Sequence, residues 1–548
     1  MNEFISSSEA ELLKSNPTDK FQKNVINTLN TFTIKLPNKP NTYHLRIMNP
    51  QPPILYGLPK LHKTNYPLRP VVSYIYAPTY KICKYLNDQL KDMFISKFSI
   101  KNSLELTKNL QNLNIHNTDK LISFDVKNLF PSIPIPELKI ILNQIIHSNI
   151  PDPTQCSQIH KLIDLCLDQN YYIFNNKYYK QNTGLPMGSP LSPLLAEIYM
   201  ANFEKTVMAP SNPWQKYIKF WRRYVDDIFV VWSGTLRQVD SLTDHLNSIH
   251  KIIQFTSEIG NKTISFLDLI ITISNQKLEY QIFRKPTFTD TIIPFSSNHS
   301  TNTKFSAFYS MINRLIQIPL NKDNFNNELN TIYNIASNNG FNRKVISKLF
   351  NKINKKHMIS KFHSLTSESE KIYKRIPFVS KHITYPIVNN LQKHGITPAL
   401  YNTNNLFSQL INNKLDKIEK INKSGVYKLN CNNCDAIYIG QTGRSFKKRY
   451  KEHEASLRQL KRSQPSNPDS TSTFANHLYS LDHSPSLNNP TPIHFETKGL
   501  RLDLLESTEI KYALLNDENI INSQLDIKKN TIIDLILTKN HVPNPSYS

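Results

Sequence analysis

Apolar residues along this chain gather into short blocks, and the chemistry-bearing side chains fall where those blocks break. In Arg222-Arg223-Tyr224-Val225-Asp226-Asp227-Ile228-Phe229-Val230-Val231-Trp232, two adjacent carboxylates separate two apolar arms. That pattern predicts two short strands meeting at a hairpin tip, with Asp226 and Asp227 at the turn. Leu121-Ile122-Ser123-Phe124-Asp125-Val126 predicts a further strand, whose one acid is expected to be buried between Phe124 and Val126. The interval between the two acidic sites leaves room for helices that let both strands join one sheet. Within it lies Gly184-Leu185-Pro186-Met187-Gly188-Ser189-Pro190-Leu191-Ser192-Pro193, a loop feeding an apolar helix up to Tyr199. Its glycines remove the side-chain obstacle to close backbone approach.

Upstream, Leu55-Tyr56-Gly57-Leu58-Pro59-Lys60 and Pro67-Leu68-Arg69-Pro70-Val71-Val72-Ser73 predict two basic strands around a turn. Residues 1–50 show short helical patterns and no site. Residues 301–361 carry ten Lys or Arg against two acids, interleaved with Phe, Leu and Ile, and predict basic helices. From 376 to 420 the periodicity weakens and Pro, Asn and Lys accumulate, as in a connector with short helices. Near Ser424 the pattern changes to two short strands, Gly425-Val426-Tyr427-Lys428-Leu429 and Ala436-Ile437-Tyr438-Ile439-Gly440-Gln441-Thr442, followed by a basic helix with Arg444, Arg449 and His453.

Adjacent like charges between apolar arms are unfavourable unless a cation neutralises them. An oxygen-only donor set without nearby thiols suits Mg²⁺, which takes one or two carboxylates and fills its shell with water and phosphate oxygens. Asp125, Asp226 and Asp227 are therefore candidate ligands for phosphoryl-transfer chemistry; the plain alternative for the dipeptide is a solvated hairpin turn. Lys60, Lys63 and Arg69 form a candidate cationic wall for a triphosphate, against the alternative of a solvated charged hairpin. Tyr427, Tyr438, Arg449 and a later Glu506 make a set suited to a single-metal nuclease, though paired strand tyrosines also serve as packing. Cys431, Cys434, His477 and His483 offer two thiolates and two imidazoles, the donors of a closed tetrahedral zinc site.

The charge balance extends this picture. With 66 Lys and Arg against 42 Asp and Glu, the 548-residue chain carries a net charge of +24, and a polyanion is the first partner to expect. No apolar run approaches a membrane span, so no membrane role is expected. Met1 to Lys20 lacks the blocks of a secretory signal, which points to cytosol or nucleus. Five scattered cysteines, with one CxxC, fit that compartment.

The blocks at 55–73, 121–134, 184–199 and 221–232 occur in the order and spacing of a reverse transcriptase. More narrowly, Tyr56-Gly57-Leu58-Pro59-Lys60, Pro186-Met187-Gly188-Ser189-Pro190, Ser265-Phe266-Leu267-Asp268-Leu269, Phe283-Arg284-Lys285-Pro286-Thr287 and Ser297-Asn298-His299 resemble Penelope-like retroelements. The resemblance implies two Mg²⁺ ions at Asp125 and Asp226 with Asp227 beside them, and Lys60 and Arg69 on the triphosphate. It implies Phe130 as the side chain excluding a ribose 2′-hydroxyl, and Met187 and Gly188 beside the nucleotide. The C-terminal stretch is similar to a GIY-YIG endonuclease, which Penelope-like elements carry after their polymerase. Tyr427 and Tyr438 match its tyrosines, Arg449 its helix arginine with Arg444 a competitor, His453 the residue one turn on, and Glu506 the ligand of a third Mg²⁺. Asn522, Asn519 and Asn516 compete for a terminal asparagine. In the same family a Cys-Cys-His-His set stands at 431, 434, 477 and 483, implying a structural Zn²⁺.

The expected fold is thus α+β and multidomain: a right-hand polymerase plus a small α/β GIY-YIG nuclease. Expected boundaries are 1–50 N-terminal extension, 51–300 fingers and palm, 301–375 helical thumb, 376–420 connector and 421–540 nuclease with its zinc site. The expected activity is RNA-directed DNA polymerisation with DNA nicking, in target-primed reverse transcription, on template RNA, primer or target DNA and dNTPs, in the nucleus. The competing expectation is a domesticated or truncated copy that only binds nucleic acid.

Overall fold

The computed structural model describes residues 2–7, 10–32, 42–61, 65–362, 372–402, 414, 416–464 and 472–522. Its centre is a four-stranded antiparallel sheet in the order Ile218–Tyr224, Asp227–Trp232, Lys120–Val126, Phe255–Asn261. Successive strand residues point to opposite faces. Ile122, Phe124, Val230 and Trp232 enter a core shared with the helices Ile135–Asn149 and Ser192–Val207. Leu121, Phe229 and Val231 enter a second core, built with the small sheet of Thr263–Phe266, Leu269–Ser274 and Lys277–Ile282. Neither face meets water, which is why Ile228 to Trp232 reads as an unbroken apolar run rather than an alternating one. Each such side chain contributes about 1.5–3 kcal/mol on burial. Packing on both faces therefore fixes the strands, and the polar groups are left at their ends.

A five-stranded sheet lies in the order Glu11–Leu13, Lys177–Lys180, Tyr171–Phe174, Ile54–Pro59, Leu68–Ser73. Its edge strand belongs to the stretch expected as a separate N-terminal extension. The helix Thr18–Asn30 adds to the same body: Phe21 packs on Tyr171 with centroids 4.9 Å apart, and Thr18 Oγ1 lies 2.8 Å from Tyr171 Oη. A three-residue strand is too short to show a period, so only its partner, Tyr178 to Lys180, reveals it.

Three helices, Thr301–Gln317, Lys322–Asn338 and Arg343–Phe362, close around Phe308, Ile312, Ile332, Ile335 and Phe341. They are tied to the segment after the small sheet and to that sheet's Asp268 turn by a bidentate pair, Arg284 to the buried Glu328 at 2.6 and 2.6 Å, and by Arg314 to Asp268 at 3.0 Å. Such forked charge-assisted bonds fix orientation as well as distance. Across the boundary expected at 375/376 between thumb and connector, residues 372–402 form a strand, helix, strand unit, Ile372–Pro377 and Ile396–Tyr401 pairing in parallel across Lys381–Lys393.

The C-terminal unit has a three-stranded sheet in the order Ile437–Thr442, Gly425–Asn430, Thr491–Phe495. Tyr427 and Leu429 pack with Phe446 and Phe474 on one face, and Val426 and Ile439 with Leu502 and Ile510 on the other. The unit is docked on the N-terminal part of the chain. Asn49 Nδ2 and Gln51 Nε2 both donate to the Asn422 carbonyl, at 2.9 and 3.0 Å, and Lys448 pairs with Asp19 at 2.8 Å. Asp416 accepts from the backbone N–H groups of Asn175 and Asn176 at 2.9 and 2.7 Å. Among the described residues, no helix is long and apolar enough to cross a membrane.

Candidate active site

Asp125 and Asp227 are direct partners on adjacent antiparallel strands. Asp226 occupies the turn, where its carbonyl accepts the Val126 N–H at 3.1 Å. The ladder therefore brings three carboxylates, one of them from a distant block, to a single sheet edge. Asp125 is exposed rather than buried, because strand alternation turns it away from the core that takes Phe124 and Val126. Asp227 is pushed up to about 6 by partial burial, then by Asp226 and Asp125, with Lys285 opposing. Burial and the two neighbouring carboxylates act in the same direction, each favouring the neutral form. The donor set is entirely carboxylate oxygen and suits Mg²⁺.

The Gly/Pro loop is held against this edge from two sides. Met187 is half-buried, and its carbonyl accepts the Val72 N–H at 2.7 Å. Gly188 has φ of +134°, and a Cβ there would sit 1.9 Å from the Val72 carbonyl oxygen, so the contact requires glycine. On the other side, the Leu185 N–H donates to the Phe130 carbonyl at 2.7 Å. Phe130 lies in the short helix Leu129–Ser132, half-buried against the main core, so the loop and the Asp125 strand meet at this residue. The strand after Val72 runs back to Arg69, which pairs with Leu58. Lys60, half-buried, donates its backbone N–H to the Pro67 carbonyl at 2.9 Å, and lies on the same hairpin face as Arg69 by strand alternation. Lys63 lies outside the described residues.

In the C-terminal unit a second polar cluster is built on the paired tyrosine strands. Tyr427, almost fully buried, places its Oη 2.8 Å from His453 Nε2 and accepts from Arg449 Nε at 3.3 Å. The Tyr438 ring lies 6.4 Å from that of Tyr427. Gly440 lies between them: a Cβ there would come 2.7 Å from the Tyr438 ring and 2.8 Å from Tyr427 Oη. Burial and the Arg449 charge pull His453 down to about 4, so its imidazole is neutral at physiological pH. Burial, with Tyr438 nearby, raises the Tyr427 phenol well above its ordinary value. Arg449, not Arg444, reaches Tyr427; both pair with Glu452, Arg444 at 2.6 Å and Arg449 at 2.9 Å. Glu506, on the helix Leu500–Leu515, accepts from Gln441 Nε2 at 2.7 Å, and burial raises its carboxyl. Asn522 bonds both backbone groups of Ile439, its amide donating at 2.6 Å and accepting at 3.0 Å.

Cys431, Cys434, His477 and His483 come together with all four donor atoms within 4.8 Å of one another. The separations are 3.4 Å for Cys431 Sγ to His483 Nδ1, 3.4 Å for Cys434 Sγ to His477 Nε2 and 3.6 Å for Cys434 Sγ to His483 Nδ1. A tetrahedral zinc with its usual bond lengths sets sulfur and nitrogen about 3.5 Å apart. The donors fit that ion.

Sequence reasoning passed over three residues that touch these sites. Lys285 faces Asp227 electrostatically; Gln441 holds Glu506; Ser472 Oγ lies 2.7 Å from His453 Nδ1. Lys285 and Gln441 stood inside quoted motifs, and Ser472 carried no signal because its role depends on a fold contact alone.

Comparison with known proteins bears on the first site. Residues 61–265 match the family described as reverse transcriptase (RNA-dependent DNA polymerase), and residues 291–351 match that of the animal helix-turn-helix domain. No curated protein matches the chain. Among solved structures, telomerase from Candida albicans in complex with a telomeric RNA fragment is similar at 13% identity, over 63% of this chain and 62% of that one, with a TM-score of 0.39. A truncated apo telomerase from Candida tropicalis is similar at 14% identity, over 43% and 56%, with a TM-score of 0.32. Prototype foamy virus protease-reverse transcriptase is similar at 16% identity, over 60% and 37%, with a TM-score of 0.24. The chain thus spans less than two thirds of each of these proteins. The carboxylate edge lies inside the matched family segment, and the chain contains a reverse transcriptase domain.

Proposed function

We propose that the chain is the polyprotein of a Penelope-like retroelement: an RNA-directed DNA polymerase joined to a GIY-YIG endonuclease that nicks DNA, acting in the nucleus on template RNA, target DNA and dNTPs. The observation that carries the polymerase half is the pairing of Asp125 with Asp227 beside Asp226, within the segment matching the reverse transcriptase family. Two divalent ions at these carboxylates would favour attack of a primer 3′-hydroxyl on the α-phosphate of the incoming nucleotide and neutralise the pyrophosphate that leaves. Lys60 and Arg69 would neutralise the triphosphate, and Phe130 would close the space beside the sugar.

For the nuclease half, the support is the Tyr427, His453 and Arg449 cluster with Glu506 nearby. Neutral His453 and Arg449 would hold Tyr427 Oη in place, where the phenol would orient an attacking water by hydrogen bonding. Arg449 would balance the charge on the phosphodiester, and Glu506 would hold a divalent ion. Cys431, Cys434, His477 and His483 would hold structural zinc.

A second reading, a copy that only binds nucleic acid, draws on the helix-turn-helix match at 291–351. The complete carboxylate set weighs against it, since a binder has no use for three acids facing a polyanion. The test is extension of a DNA primer on an RNA template with dNTPs and Mg²⁺. The parent chain should extend, and Asp226→Ala should reduce extension to background. Extension by the variant at the parental rate would remove the catalytic assignment.

A further inference from the structure

Behind the carboxylate turn lies a charged group that the proposed chemistry does not use. Arg223 is fully buried. Its Nε and Nη2 donate to Glu204 at 2.8 and 3.1 Å, its Nη1 and Nη2 to Glu197 at 2.8 and 3.1 Å, and its Nη1 also to the Val225 carbonyl at 3.1 Å. A guanidinium has five N–H donors, and these contacts engage all five. Its backbone is pinned as well, N–H to the Phe98 carbonyl at 2.8 Å and carbonyl to the Ile100 N–H at 2.9 Å.

Val225 has φ of +57°. A β-branched residue seldom adopts that left-handed region, and does so only where its surroundings over-determine it. The carbonyl of this strained residue is the one Arg223 holds, and the next two residues are Asp226 and Asp227. Both glutamates belong to the helix Ser192–Val207, which continues from the loop bonded to Val72. A buried ion pair is weak evidence for stability, because well-packed apolar groups do as well. Its retention beside a strained turn points to geometry.

We propose that Arg223 is a positioning residue for the carboxylate turn: clamped by Glu197 and Glu204, it sets Val225 and thereby the spacing of Asp226 and Asp227 from Asp125. This rests on the polymerase reading above. Arg223→Lys in the full chain tests it. A lysine offers three donors from one point and cannot span both glutamates and the carbonyl. Misplacing the carboxylates should lower kcat for primer extension about 10–100-fold and raise the Mg²⁺ midpoint severalfold, with KM for dNTP little changed. Trp221→Phe is the control: it removes a 3.1 Å bond to Glu204 and leaves the Val225 contact intact, so it should lower Tm without moving the Mg²⁺ midpoint. If Arg223→Lys behaves like that control, losing Tm while keeping kcat and midpoint, the role is structural and the inference is overturned. Should Arg223→Lys not fold, Glu197→Gln takes its place, since that side chain is partly exposed. A smaller shift of kcat and midpoint in the same direction supports the proposal, and parental values overturn it. Failure of the parent chain to extend any primer would strike the polymerase reading instead.

Discussion

Asp227 stands directly across from Asp125 on the neighbouring antiparallel strand, and this pairing brings together two acids from separate apolar blocks. Partial burial, with Asp226 and Asp125 adding to it, has a measurable consequence before any substrate binds. In metal-free solution the folded chain holds Asp227 at about 6, against 3.8 for the free carboxyl. With the folded value raised, the group contributes most to stability below pH 3.8 and loses that contribution as pH rises through about 6. Asp227→Asn should therefore raise Tm by roughly 2–4 °C near neutral pH and leave it unchanged in acid below the free value. Added Mg²⁺ should stabilise the parent more than the variant. Thermal melts across pH check this, and a variant no more stable than the parent at neutral pH would contradict it.

Phe130 sits where the loop and the Asp125 strand meet. Phe130→Ala should open the space beside the nucleotide sugar and weaken discrimination against ribonucleotides about 10-fold or more, read as the ratio of kcat/KM values for dNTP and rNTP. Because the ring also packs on the core, Tm should fall by a few degrees too. A lower Tm with unchanged discrimination would return Phe130 to a packing role.

The four-donor cluster predicts one tightly held zinc per chain. Metal analysis should find it, and Cys431→Ser or a strong chelator should remove it. Since binding energy at such a site is folding energy, the C-terminal unit should then melt separately, while primer extension continues in Cys431→Ser or once excess Mg²⁺ is restored after chelation. A chain that purifies without zinc yet melts in the same way would refute the site.

Glu506→Ala separates the two proposed activities. A reaction with intact target DNA, template RNA and dNTPs should yield a covalent product joining target to new cDNA. The variant should lose it on intact DNA and keep it on a pre-nicked target. Docking of the C-terminal unit through Asn422 and Lys448 gives the transferred 3′-end a set distance to travel, so local concentration should favour the transfer. Equal product from the variant on intact DNA would mean the nick comes from elsewhere.

The sequence by itself determined the local features of this protein. Apolar runs packed on both faces, Ile228 to Trp232 and, Ser123 apart, Leu121 to Phe124, announce strands because each face packs on a core. Asp226 and Asp227 stand out because charge breaks such a run. The CxxC and the two histidines were visible as donor types, as were Tyr427, Tyr438 and Arg449. What depended on partners distant in the chain was left to the tertiary structure. The strand Glu11–Leu13 exists only through Lys177–Lys180, and the parallel pair at 372–377 and 396–401 only through each other. Asp125 was expected in the core, yet it is exposed: alternation turns it to the face opposite Phe124 and Val126, and what covers that face is a matter of tertiary packing. Arg449 and Arg444 both pair with Glu452, and the distinction between them turned on which guanidinium also reaches Tyr427. Arg223 reads in sequence as one more basic residue before the acids. Only the fold buries it, because hydrogen-bond partners for a guanidinium inside a core must converge from several elements, and convergence is a property of three dimensions.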